Sequence, residues 1–98
     1  MKVFISQPMV DKTNDEIQYE RDKAIAKLKR IYTEPIEIID SFFKDVPHDA
    51  KPLWYLGESI KLLGTADVAF FCDAWSNYRG CTIEHECAVR YGIPRIYA

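Results

Sequence analysis

Val68-Ala69-Phe70-Phe71-Cys72 is an apolar run with no polar break, closed by Asp73. Side chains of a strand point alternately to its two faces, so a run that is apolar at every position must be covered on both. Such strands belong to parallel sheets with helices packed on each side. Parallel neighbours also need long crossovers, usually helical.

The rest of the chain supplies these crossovers in order. Lys2 to Ser6 reads as a first strand, broken by Gln7-Pro8. Thr13, Asn14 and Asp15 offer N-caps for a long helix. Its apolar positions, Ile17, Ala24, Ile25, Leu28, Ile31 and Tyr32, recur at helical spacing. Asp15 and Glu16 fall in its first turn and Lys27, Lys29 and Arg30 towards its end, as the helix dipole prefers. Ile36 to Asp40 reads as a second strand and Ser41 to Lys51 as a loop. Pro52 suits the first turn of a second helix, with a stripe of Leu53, Leu56, Ile60 and Leu63 and a C-cap at Gly64. Asp67 to Cys72 is the third strand and Asp73 to Arg79 a polar loop. Gly80 opens a third helix through Tyr91, Gly92 closes it, and Arg95-Ile96-Tyr97 is a last short strand.

The order β-α-β-α-β-α-β predicts a single three-layer α/β domain spanning residues 1–98, with helices on both faces of the sheet. Right-handed crossovers that cover both faces require the winding to reverse once. The simplest solution is a four-stranded parallel sheet of order 2-1-3-4, flavodoxin-like. Ligands of such sheets bind beyond the carboxyl ends of the strands, near the reversal.

Composition narrows the function. A formal charge of −2 lacks the basic stripe that duplex nucleic acid would require. No apolar stretch is long enough for a secretory leader or a membrane span. Cys72, Cys81 and Cys87 are odd in number and read as reduced thiols of a cytoplasmic protein. Cys81 and His85 share a helix face but Cys87 turns away, and no second cluster exists, so no metal site is expected. No glycine pattern marks a phosphate loop or a dinucleotide fingerprint. No cofactor is expected. A chain of 98 residues buries only about 60–70% of its unfolded surface, so association with further copies is expected.

The carboxyl edge collects the candidate site. Ser6, Gln7 and Pro8 end the first strand, Asp40, Ser41 and Phe42 the second, and Asp73, Ala74 and Trp75 the third. Strands one and three flank the reversal and should share a cleft with the start of the third helix, which carries Glu84. Glu84 and Asp73 are the candidate catalytic carboxylates. Ser6, Gln7, Pro8, Trp75, Asn77, Arg79 and Gly80 are the candidate substrate contacts, with Arg79 and Gly80 placed to meet an anion at a helix N-terminus. Each has a plainer role open to it: strand end, Asx turn, packing aromatic or solvated loop. Asp40-Ser41 and His48 are read as turn residues and His85 as a surface histidine. A carboxylate in the first turn of a helix is held as the anion by the dipole. An oriented anion beside an aromatic cleft is what a covalent glycosyl-transfer nucleophile needs. Asp73, placed deeper, is expected in the acid form or as a partner of the leaving base.

At these residues the chain resembles the nucleoside 2-deoxyribosyltransferase-like superfamily. The carrying pattern is Gly80-Cys81-Thr82-Ile83-Glu84, then Ala88, Gly92 and Pro94, joined by Phe4-Ile5-Ser6-Gln7-Pro8 and by Ala66 to Asp73. Ile5 to Met9, Pro52 to Gly57 and Gly80 to Glu86 look like a small bacterial and phage branch of it whose function is unassigned. The resemblance implies two-step, retaining cleavage of an N-glycosidic bond. Glu84 would be the nucleophile and Asp73 the contact to the base, in a homodimer or larger assembly whose subunits complete each other's sites. Tyr78 stands where such enzymes usually carry Asp, and Glu86 where they usually carry Gly. Three readings therefore stand: an enzyme cleaving or transferring nucleosides or nucleotides, a non-catalytic nucleotide or ribose-metabolite binding module, and an assembly protein.

Overall fold

The computed structural model describes residues 1–41, 43 and 45–98. Phe42, placed by the sequence at the end of the second strand, and Lys44 of the following loop lie outside the described residues. Four strands, β1 (Lys2–Ser6), β2 (Glu37–Ile38), β3 (Val68–Phe71) and β4 (Arg95–Tyr97), alternate with three helices, α1 (Asn14–Ile31), α2 (Pro52–Leu63) and α3 (Arg79–Arg90). The sheet order is β2-β1-β3-β4 with every pairing parallel, as the sequence predicts. Ser6 lies opposite Phe71, and Phe71 opposite Tyr97, so the carboxyl ends of the three strands from β1 to β4 are level.

Alternation along the central strands builds two cores. Val3, Ile5, Val68, Phe70 and Cys72 pack with Ala24 and Leu28 of α1. Phe4, Ala69 and Phe71 pack with Leu63 of α2 and Ala88 of α3. The unbroken apolar run of β3 thus feeds both layers at once, and burying each phenylalanine contributes about 2–3 kcal/mol. One helix covers one face of the sheet, and two cover the other.

Local chemistry sets the helix ends. Of the three candidate caps, Thr13 takes the role: its Oγ1 accepts from the Glu16 N–H, and its own N–H donates to Glu16 Oε1, both at 3.1 Å. The bond holds the Glu16 carboxyl below its ordinary pKa. Pro52 opens α2 and Gly64 caps it. The end of α3 is a Schellman turn. The Ile93 N–H reaches Ala88 O, and the Gly92 N–H reaches Val89 O, with Gly92 at φ 69°. A side chain there would be strained, which is why the chain needs glycine at this position.

Three expectations are corrected. β2 pairs only at Glu37 and Ile38 rather than over Ile36–Asp40, because the Ile39 carbonyl is taken by the Arg21 guanidinium at 2.8 Å and the ladder stops there. Leu53 does not join the α2 core stripe: it is 78% exposed, and only Leu63 of that helix is fully buried, because α2 packs through its last turns. Its first turn instead carries Trp54 and Tyr55, which meet each other edge-on and gather round the Phe43 ring of the preceding loop, edge-on to Trp54 and tilted to Tyr55. Ile31 is exposed at the frayed end of α1, and Tyr32 packs in its place.

Candidate functional site

Residue 84 projects from α3 onto the sheet. The helix begins at Arg79, one residue earlier than the sequence suggests, so Glu84 is its sixth residue and not part of the first turn. The dipole fades beyond the first turn, so it does not hold this carboxylate as an anion. Burial decides instead. Glu84 is 7% exposed, and desolvation pushes its pKa up to about 7, against a smaller downward pull from hydrogen bonds with Ser6 and then Ser59.

Ser6 comes from the last residue of β1 and is 1% exposed. Its hydroxyl donates to Glu84 Oε1 at 2.7 Å. Ser59, on α2, flanks the same carboxyl from the second helix of that layer. Cys81, one turn before Glu84, is buried against the same serine, and desolvation raises its thiol to about 11. Cys72 is raised to about 12, first by desolvation and then by neighbouring Glu20. Thiols held this high stay protonated and are poor nucleophiles. All three cysteines are free. The ionisable group of this centre whose pKa lies nearest neutrality is therefore the Glu84 carboxyl, held by Ser6 at one oxygen and flanked by Ser59.

Asp73 is not the second acid of this centre. The strand ends at Phe71, the backbone turns through Ala74 at φ 65°, and Asp73 emerges exposed. It lines an open groove of about 290 Å³ on the α1 face of the sheet, opposite the Glu84 layer. Among the described residues, the groups that hydrogen-bond Glu84 are serines.

Gln7 serves the frame. It is buried, its Nε2 donates to Ile17 O at 3.0 Å, and its Oε1 accepts from Arg21 Nη1 at 3.3 Å. Arg21 also donates to Ser41 Oγ at 3.4 Å and to Ile39 O at 2.8 Å. Desolvation lowers the Arg21 pKa, opposed by the nearby Asp40 carboxylate. This buried guanidinium clamps the carboxyl ends of β1 and β2 to α1, and thereby fixes the segment that presents Ser6. Pro8 is buried in the same turn. Trp75 is half-buried in a short 3₁₀ turn (Trp75–Asn77), and one of its faces is covered by the His85 imidazole, 4.1 Å between centroids and 21° between planes. His85 also meets the Tyr97 hydroxyl at 2.7 Å and the Phe71 ring edge-on. Desolvation lowers its pKa, so it favours the neutral form. His85 is therefore part of a four-ring cluster rather than a loose surface histidine. Asn77, Arg79 and Gly80 are exposed, the last two forming the open first turn of α3.

Reading the sequence missed Arg21, Ser59 and the role of His85. Arg21 had a signal: it stands between Ile17 and Ala24 on the buried stripe of α1, where a charge must be paired to be tolerated. Ser59 had none. Among the described residues, no three His, Cys, Asp or Glu side chains are arranged to hold a metal ion, and no helix is long and apolar enough to cross a membrane. In comparisons with known proteins, the chain matches no family model, no curated protein and no solved structure.

Proposed function

We propose that the protein cleaves or transfers the N-glycosidic bond of a small nucleoside or nucleotide, with Glu84 as nucleophile. The observation that carries this reading is the buried Ser6–Glu84 hydrogen bond at the carboxyl edge of β1, where parallel α/β sheets bind their ligands. It coincides with the pattern shared with the deoxyribosyltransferase-like superfamily. An oxygen of ionised Glu84 attacks the anomeric carbon. The C–N bond breaks, its electron pair leaves with the base, and a glycosyl ester forms on Glu84. Water or a second base then attacks the same carbon and restores the carboxylate, with retention overall. Ser6 holds one oxygen so that the other is aimed. The chemistry calls for no cofactor and for neither duplex nucleic acid nor a membrane, and it suits a cytoplasmic enzyme working as a homodimer. The exposed apolar first turns of α2, which lead to Ser59, are the surface on which that second copy would sit.

A second reading is a non-catalytic module that binds the same class of ligand. It is favoured by the position of Asp73 in the groove on the opposite face: among the described residues, the groups that hydrogen-bond Glu84 are serines, not an acid that would protonate a departing base. Incubation with a panel of deoxynucleosides and their monophosphates separates the two. Base release by the wild type, abolished in Glu84→Ala, together with a glycosyl adduct on Glu84 in the mass spectrum, supports the enzyme. Ligand-induced thermal stabilisation without release supports the module. Neither effect with any nucleoside or nucleotide overturns both.

A further inference from the structure

Glu84 is the group on which the proposed chemistry turns, and it is almost closed to solvent. A nucleophile must come within about 3–3.5 Å of the carbon it attacks, so one of the elements around this carboxyl has to move. The groups that hydrogen-bond it come from β1, through Ser6, and from α2, through Ser59, while α3 carries it. β1 is an interior strand, buried from Val3 to Ser6. α3 is anchored on both sides of Glu84 by buried Cys81 and Ala88, the latter packed against Phe4 and Phe71. Neither can shift without opening a core. α2 is the remaining wall.

The two ends of α2 are unlike. The last turn is fastened. Leu63 is buried among Phe4, Phe71 and Ala88. The Thr65 hydroxyl donates to Leu62 O at 2.7 Å, and the Ala66 N–H to Leu63 O at 3.1 Å. The Asp67 N–H then donates to Lys2 O at 2.8 Å, which ties the exit of the helix to β1. The first turns are held far less. Lys51, the N-cap, has an extended backbone (φ −105°, ψ 168°) but makes no side-chain capping bond, and the first turn carries no acid to meet the helix dipole. Leu53 and Tyr55 are exposed. Among the described residues, the ring contacts of Trp54 and Tyr55 are with each other and with Phe43 of the preceding loop, not with the sheet. Gly57 then stands two residues before Ser59. A Cβ there would meet nothing within 4 Å, so packing does not require glycine, and its effect is to weaken the helix.

We propose that the first turns of α2, residues 52–59, are a lid over Glu84: they unwind from the N-terminal end, with Gly57 as the weak point and the Leu63 turn as the fixed end, and draw Ser59 away from the carboxyl. Ser6 stays in place on β1, so opening releases one partner of Glu84 and keeps the other. The lid is the entrance to the site of the proposed glycosidic reaction, and rests on that reading for its use but not for its existence.

Carboxyl labelling of the full chain tests this. Dilute protein, so that a second copy on the same turns does not hold them shut, is treated with a water-soluble carbodiimide and glycine ethyl ester, and the label is followed by peptide mass spectrometry. Glu86, on the same helix with its side chain exposed, is the internal reference. Glu84 is expected to label slowly in the native state, at a rate almost flat in urea below the unfolding transition, because opening a few turns exposes little surface. Gly57→Ala and Lys51→Asp strengthen the helix without touching Glu84, and each should slow its labelling about fivefold while Glu86 is unchanged. Ser59→Ala removes the closing bond and should speed it. The proposal is overturned if Glu84 labels only in step with global unfolding, if the two strengthening variants leave its rate unchanged, or if it labels as fast as Glu86. Base release is scored separately. Expected labelling without base release from any nucleoside supports the lid and removes the glycosidic reading, and base release with labelling confined to the unfolded chain does the reverse.

Discussion

Ser6 and Glu84 lie 78 residues apart in the chain and 2.7 Å apart in space, and both are shut away from water. The hydrogen bond joins the end of the first strand to the middle of the last helix. It closes around a carboxyl group that the surroundings would rather keep neutral.

That tension has a sign in pH. The native state holds the Glu84 proton up to about pH 7, against an ordinary carboxyl value of 4.5. Between those values the folded chain binds more protons than the unfolded one, so stability falls as pH rises. The contribution is complete below pH 4.5 and gone above about pH 7, and amounts to about 3 kcal/mol. Glu84→Gln mimics the neutral form. It should be more stable than wild type at pH 8 and close to it at pH 5. Melting temperatures across this range check the point, and parallel curves for the two proteins would refute it. The glycosyl-transfer chemistry needs the anion, so base release should rise with pH through the same window.

Ser6→Ala removes the donor to Glu84 and leaves the carboxyl more desolvated. The stability cost should be about 1–2 kcal/mol. The pH at which base release reaches half its plateau should move upward, because the serine pulls the Glu84 pKa down. Ser6→Thr keeps a hydroxyl and should restore the midpoint. An unchanged midpoint in Ser6→Ala would mean that the serine is structural only.

Arg21→Met should be among the most damaging changes outside the apolar cores. It strips partners from Gln7, Ser41 and the Ile39 carbonyl in one step. A cost of about 3 kcal/mol is expected, within the range for breaking a buried, hydrogen-bonded charge. Urea denaturation measures it. A loss below about 0.5 kcal/mol, the scale of an ordinary surface substitution, would show that the clamp contributes little.

Leu53→Arg places a charge on an apolar first turn that the single chain leaves uncovered. If two copies meet on α2, the variant should run as a monomer at concentrations where the wild type is a dimer, with an unchanged circular dichroism spectrum. Sedimentation velocity decides. A wild type that stays monomeric throughout would remove the dimer from the proposed function.

Strand order and the covering of the sheet on both faces were legible in the sequence because each follows from the pattern of apolar residues. The run from Val68 to Cys72 demands burial on two sides, and Thr13, which takes the N-cap of α1, is one of the three caps the sequence offers. Glu84 was legible as a residue, but its charge state was not. Even counted from Gly80 it is the fifth residue, past a first turn of about 3.6 residues, so the dipole fades before it and burial governs its pKa. Asp73 shows a different limit. By strict alternation from Ala69 and Phe71 it should share their face, but pairing stops at Phe71 and the left-handed turn at Ala74 redirects the chain. Periodicity predicts the side on which a residue lies only while the strand continues. Leu53 shows a related limit: its spacing fits the α2 stripe, but burial on that helix is concentrated at its far end, at Leu63.

The outermost strands are stubs, with two paired residues in β2 and three in β4. Arg21 occupies the carbonyl at the end of one, and Lys27 a carbonyl of the other. A foreign backbone seeking to zip onto either margin finds too few free rungs to nucleate a fibre. Thirteen aromatic residues can therefore be carried by so small a chain without inviting runaway strand addition.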